Sequence, residues 1–134
     1  ATHLRNGTSC PDALYQAFRE SDTECLETQA CGNSGSTANV AMYDTSSNLF
    51  YIANTGDTRA VLSRNGKALD LSYDRKGNDP EEIARVVKAG GFVSKGRIMG
   101  SLAVSRALGK CCMCSAALRP IYCFIIGVIV LFIY

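Results

Sequence analysis

The chain of 134 residues has no tryptophan, three prolines and a single histidine, His3. One histidine beside the first residues, with no Cys or Glu at metal spacing, excludes a Ser/His/Asp or Cys/His catalytic set held on a rigid scaffold. No P-loop is present, and no G-x-G-x-x-G follows a strand pattern. Gly32-Asn33-Ser34-Gly35-Ser36 has Ser where a nucleophile elbow needs its last Gly. An excess of one charge is missing too. With 14 basic and 12 acidic residues the net charge is +2, too little for a nucleic-acid footprint. The 47% apolar content excludes a disordered chain, so one globular core is expected.

Charge is unevenly placed. Residues 1–110 hold 13 of the basic and all 12 of the acidic side chains, whereas 111–134 carry only Arg119. The expected division is an N-terminal segment (1–9), a globular part (10–110) and an apolar tail (111–134). The seven cysteines follow the same division: Cys10, Cys25 and Cys31 in the first part, Cys111, Cys112, Cys114 and Cys123 in the tail. Neither group has zinc-ribbon spacing. The first three read as reduced thiols, which points to the cytoplasm. Asn6-Gly7-Thr8 reads as a chance sequon.

Hydrophobic periodicity predicts a helix over residues 10–28. Leu14, Ala17, Phe18, Ser21 and Cys25 make its inner face, Ser9 is the N-cap and Pro11 lies in the first turn. From Ser36 to Leu71 the period shortens to that of strands. Asp44 to Asn48 reads as a turn, Asn54-Thr55-Gly56-Asp57 as a second one, and Asn65-Gly66 as a type I′ hairpin. About four antiparallel strands follow. A second helix is marked by Asp79 as cap, Pro80 at the first position and Glu82 three residues past the cap, a capping-box spacing. Ile83, Val86 and Val87 form its apolar face, and Gly90 or Gly91 ends it. Residues 92–109 read as short strands and loops. Arg59, Arg64, Arg75 and Arg97 read as solvated.

Asp57 stands out, since a turn between two apolar strands aims a carboxylate off a sheet rim. Two readings stand: a turn Asp bonded to its own backbone, or a ligand for Mg²⁺ or Mn²⁺. Spacing alone does not choose between them.

The longer string resembles a known family. Ser34-Gly35-Ser36-Thr37-Ala38, the run from Tyr51 to Lys67 around Gly56-Asp57-Thr58-Arg59, Pro80/Glu82/Arg85/Val86 before Ala89-Gly90-Gly91-Phe92-Val93, and Gly100-Ser101-Leu102-Ala103-Val104-Ser105-Arg106-Ala107-Leu108-Gly109 are similar to the type-2C metal-dependent protein Ser/Thr phosphatases. The resemblance covers residues 10–109, the middle of that family's catalytic domain. It implies an α+β fold, part of an α/β sandwich of antiparallel sheets flanked by helices. It implies metal-activated water attacking a phosphoserine or phosphothreonine of a protein substrate, with Mg²⁺ or Mn²⁺ as cofactor. Asp57 takes the position of an additional metal ligand, on a turn formed with Gly56, Thr58 and Arg59.

The family's Asp-Gly-His-Gly-Gly, early phosphate-gripping Arg, late Asp-Gly-Xaa-Trp-Asp and Asp-Asn segments have no counterpart in this sequence. Catalytic residues are therefore unassigned, weak or no metal binding is expected, and the 134 residues alone are expected to be inactive. Two further departures are Asp74-Arg75-Lys76-Gly77 in place of Asp-His-Xaa-Pro, and Lys110 in place of Asp. For the tail, three readings stay open. A tail-anchored pseudophosphatase acting as a protein-binding module would use residues 111–134 in a membrane. A translated intron is suggested because Gly109-Lys110-Cys111 can be encoded with the donor sequence GTAAGT. A buried core helix is the third. As a helix, Ile121 to Tyr134 spans about 21 Å, less than the hydrocarbon core of about 30 Å.

Overall fold

The computed structural model describes residues 7–28, 32 and 34–109, and the backbone of 127–132. The expectations for His3, Asn6, Cys31 and Lys110, and those for the tail through residue 126, lie outside the described residues.

Helix α1 (Cys10–Glu27) starts where Ser9 predicts, with the Ser9 side chain accepting from Asp12 N and Pro11 in the first turn. Its buried face is Ala13, Leu14, Phe18 and Asp22, so the expected inner positions Ala17 and Ser21 are exposed. Asp22 explains the rotation: its carboxylate accepts the Gly109 backbone N–H at 2.7 Å. A buried acid with a backbone donor costs less than a bare one, and a period-based reading gives such a residue to solvent.

The strands are β1 (Gly35–Ser36), β2 (Ala38–Asp44), β3 (Leu49–Thr55), β4 (Val61–Arg64) and β5 (Lys67–Asp70). After helix α2 (Pro80–Lys88) come β6 (Val93–Ser94), β7 (Arg97–Ile98), β8 (Leu108–Gly109) and β9 (Gly127–Phe132). All strand pairs are antiparallel. The main sheet has the order β2-β3-β9, with Ala38 opposite Thr55 and Asp44 opposite Leu49. At the β2–β3 turn the Asp44 carboxylate accepts from Ser46 N at 2.9 Å and Ser46 Oγ at 2.7 Å. In the β4–β5 hairpin Asn65 (φ 53°) and Gly66 (φ 73°) take the left-handed pair expected of a type I′ turn.

Alternation along β3 decides the core. Leu49, Tyr51 and Ala53 turn toward α1 and pack with Leu14 and Phe18, joined by Met42, Ala38 and Leu108. A second cluster holds Val86 of α2 and Ile98 of β7, both fully buried, with Val93, Met99 and Leu102 around them. Burial of each such side chain stabilises by about 1.5–3 kcal/mol. Helix α2 ends in a Schellman arrangement, Gly91 N to Val86 O and Gly90 N to Val87 O, both 2.9 Å. Val87, expected on the inner face, is 56% exposed.

The tail readings that need a helix over 121–134 fail over residues 127–132, which form β9 and pair with all but the last residue of β3. Among the described residues no helix is long and apolar enough to cross a membrane.

Candidate metal-loop site

The site grows out of the end of β3. Gly56 has φ 91°, a left-handed backbone that favours glycine. A Cβ there would lie 2.2 Å from Thr37 Cγ2, so the turn is pressed against the entry to β2. Thr58 fixes the same contact from the other side, its hydroxyl donating to Thr37 Oγ1 at 2.7 Å. The buried Asn54 side chain accepts from Asn39 Nδ2 at 3.2 Å and donates to Tyr73 O at 3.2 Å. Together they tie the turn to β2 and to the loop 71–79.

That loop completes the frame. Arg75 N donates to Gly56 O at 2.9 Å, and Ser105 N and Oγ donate to Arg75 O at 3.0 and 2.9 Å. Arg59 grips Asp74 with two bonds, Nε to Oδ1 at 3.0 Å and Nη2 to Oδ2 at 2.7 Å. Lys76 Nζ lies 3.2 Å from the same carboxylate. The Arg59 guanidinium, with Lys76, holds the Asp74 carboxyl below the usual carboxylate range against the opposing effect of partial burial. Gly77, where the resembled family has Pro, donates its N–H to Ala103 O at 2.9 Å. A Cβ on Gly77 would meet Gly96 O at 2.3 Å. Both contacts forbid proline there, so the sequence departure and the loop path are one fact.

Behind the loop lies a buried ion cluster. Glu82 is 1% exposed and Arg106 3%. Arg106 binds both Glu82 oxygens, Nε to Oε2 at 2.9 Å and Nη2 to Oε1. Arg85 reaches Oε2 through Nη2 at 2.8 Å and also holds Ser105 O at 2.8 Å. Burial pushes the Glu82 carboxyl up, but the hydrogen bonds from Arg106, Arg85 and Ser105 outweigh it and bring it down to about 2. Glu82 therefore does not close the capping box its spacing predicts. Asp79 does cap α2, accepting from Glu81 N at 3.0 Å, while its own N–H donates to Lys76 O at 3.2 Å.

Gly56, Asp57, Thr58 and Arg59 follow β3 in a bend that Thr58 ties to Thr37 and Arg59 ties to Asp74. Asp57 is half-buried and lines a cleft of about 510 Å³ with Lys76, Asn78, Lys95, Arg97 and Ala103. Among the described residues its carboxylate has no hydrogen bond or ion pair, so the reading of Asp57 as a turn residue bonded to its own backbone is not met. No group of three His, Cys, Asp or Glu side chains among those residues could hold a metal ion. Two arginines expected in solvent are not free: Arg59 is paired, and the Arg75 guanidinium lies 4.9 Å from the Tyr73 ring centre while facing Glu82. Sequence reasoning missed the roles of Asp74 and of the Glu82–Arg106 pair, whose only signal was their place in the family-like segments, and that of Asp22, which lies outside those segments and carried no signal.

The family profile described as protein phosphatase 2C matches residues 2–122. The chain belongs to the protein phosphatase 2C family. Probable protein phosphatase 2C 2 of Paramecium tetraurelia is 53% identical over 75 residues, which are 56% of this chain and 24% of that protein. Protein phosphatase 2C homolog 1 of Saccharomyces cerevisiae is 42% identical over 113 residues, 73% of this chain and 40% of the relative. A solved structure of a C. elegans sex determining protein superposes with a TM-score of 0.77 at 28% identity, covering 94% of this chain and 31% of that one. The α+β fold is therefore that of the family, whose members use Mg²⁺ or Mn²⁺. The chain spans about a quarter to two fifths of the curated relatives it matches.

Proposed function

We propose that these residues form the metal-loop part of a Mg²⁺- or Mn²⁺-dependent protein serine/threonine phosphatase. The substrates are phosphoserine and phosphothreonine proteins, and the site of action is the cytoplasm. The observation that carries this reading is the Gly56–Arg59 turn: it is clamped by Thr37, Asn54 and Arg75, yet it leaves the Asp57 carboxylate unpartnered beside a cleft. A rigid carboxylate with no partner suits a hard cation, which binds through few carboxylates and several waters. When bound in a complete site, such ions polarise phosphoryl oxygens and lower the pKa of water.

One carboxylate amid Lys76, Lys95 and Arg97 does not by itself fit a two-ion centre, so no hydrolytic step is assigned to these 134 residues alone. Their own chemistry is positional. Gly56 and Thr58 set the direction of Asp57, and Arg59 with Asp74 ties that turn to the loop before α2.

The test is a graft. Residues 34–109 replace the matching segment of the Saccharomyces relative, and Mn²⁺-dependent release of phosphate from a phosphothreonine peptide is measured. The graft is expected to keep activity and its Asp57→Ala form to lose most of it, while the isolated chain shows none. An active isolated chain, or a graft indifferent to Asp57→Ala, overturns the reading.

A further inference from the structure

The backbone that carries Asp57 is held from outside its own turn. Gly56 has no side chain to limit its conformation, and the planar Gly56–Asp57 peptide sets where the Asp57 side chain begins. That peptide is fixed by the bond on its carbonyl. Arg75 N donates to Gly56 O at 2.9 Å, with Asn54 Nδ2 a distant second at 3.5 Å. Arg75 belongs to no helix or strand, so its own position needs a support. Ser105 supplies it twice, through N at 3.0 Å and Oγ at 2.9 Å, both on Arg75 O. The two segments run antiparallel here, with Lys76 opposite Val104 and Gly77 N on Ala103 O at 2.9 Å.

Ser105 is anchored in turn. It is fully buried, its carbonyl accepts Arg85 Nη2 at 2.8 Å, and the next residue, Arg106, binds both Glu82 oxygens. A buried hydroxyl is unfavourable unless it is hydrogen-bonded, and this one is spent on a loop carbonyl. A carbonyl oxygen has two lone pairs, and Ser105 fills both on Arg75, so that carbonyl cannot rotate without losing two bonds. We propose that Ser105 is a positioning residue for the Asp57 carboxylate, acting through the Arg75 backbone. It does not line the cleft beside Asp57. Removing its hydroxyl loosens Arg75 N on Gly56 O and widens the range of directions open to Asp57. That the carboxylate receives a cation rests on the phosphatase reading above; that Ser105 aims it rests on these bonds.

Amide exchange of the 134-residue chain in EDTA, followed residue by residue by NMR, tests the positioning with neither metal nor substrate present. In the wild type the Arg75 amide is expected to be protected although it lies in a loop. Ser105→Ala should speed its exchange about two- to tenfold, the net contribution of one hydrogen bond, and leave Phe18 in α1 unchanged. Should that variant not fold, Ser105→Cys, a weaker donor, takes its place. In the graft the same change should raise the Mn²⁺ concentration for half-maximal activity about two- to tenfold. It should leave kcat at saturating Mn²⁺ within about twofold, because ground state and transition state lose the same interaction. An unprotected Arg75 amide in the wild type overturns the proposal. So does a folded variant in which Arg75 exchanges as before, or in which Phe18 and Arg75 speed up alike, as a merely structural loss would make them. A graft that loses kcat but keeps its Mn²⁺ requirement overturns it too. A graft indifferent to Asp57→Ala strikes the phosphatase reading alone, since the exchange result stands without it.

Discussion

Glu82 and Arg106 stand 24 residues apart in sequence and meet as a buried pair, with Arg106 Nε 2.9 Å from Glu82 Oε2 and the second nitrogen on Oε1. The pair joins α2 to the segment that leads into β8, directly behind the loop that supports the Asp57 turn. Because both partners are almost wholly buried, removing one leaves the other uncompensated. Glu82→Ala should therefore cost about 3–5 kcal/mol. Urea unfolding at neutral pH measures it; a loss under 1 kcal/mol would show that water or a neighbour replaces the carboxylate.

The same carboxyl makes stability depend on acid. Its folded-state pKa of about 2 lies below the ordinary value of 4.5, so its contribution is complete above the unfolded value. That contribution is lost as pH falls from about 4.5 toward 2, when the unfolded chain takes up the proton first. The midpoint of urea unfolding should fall across that window in the wild type and less steeply in Glu82→Gln.

Gly56→Ala should destabilise by about 3 kcal/mol, from left-handed strain together with the clash on Thr37 Cγ2. Thr37→Ser removes the methyl in contact and should recover part of that loss in the double variant. Thermal unfolding of the four proteins gives the cycle, and strict additivity would show that the two residues do not meet.

Gly77→Pro brings the loop to the residue the resembled family carries, and is expected to harm this chain. It deletes the donor to Ala103 O and places carbon against Gly96 O. A loss of about 2–4 kcal/mol follows from an orphaned acceptor plus overpacking. Urea unfolding that shows no loss would mean the 95–96 turn moves aside freely.

Arg59 and Asp74 form a two-bond pair at the surface, with the arginine side chain half exposed. Such pairs are worth about 0.2–1 kcal/mol. A double-mutant cycle with Arg59→Ala and Asp74→Ala should return a coupling in that range, falling at high salt. A coupling of zero would leave the turn's position to Gly56 and Thr58 alone.

Local chemistry made much of this legible. Ser9 and Asp79 announce helix starts because few side chains can accept the first free N–H groups. Asn65-Gly66 announces its turn because few residues tolerate left-handed backbone. Asp57 was legible as a candidate through its turn and the motif around it. Glu82 was misplaced for a physical reason: the spacing of a capping box is also the spacing of an inward-facing helical residue, and the arginine that claims it lies 24 residues away. Arg75 was misplaced likewise, since a charged residue reads as solvated until its partner is known.

By itself the sequence determined element order, caps, the hairpin and the position of Asp57 on its turn, because each depends on neighbours within a few residues. Only the tertiary structure decided that Gly77 must lack a side chain, that Glu82 is held by Arg106, and that Lys76, Lys95 and Arg97 gather beside Asp57. Those relationships join segments that chain folding alone brings within reach, and no local period encodes them.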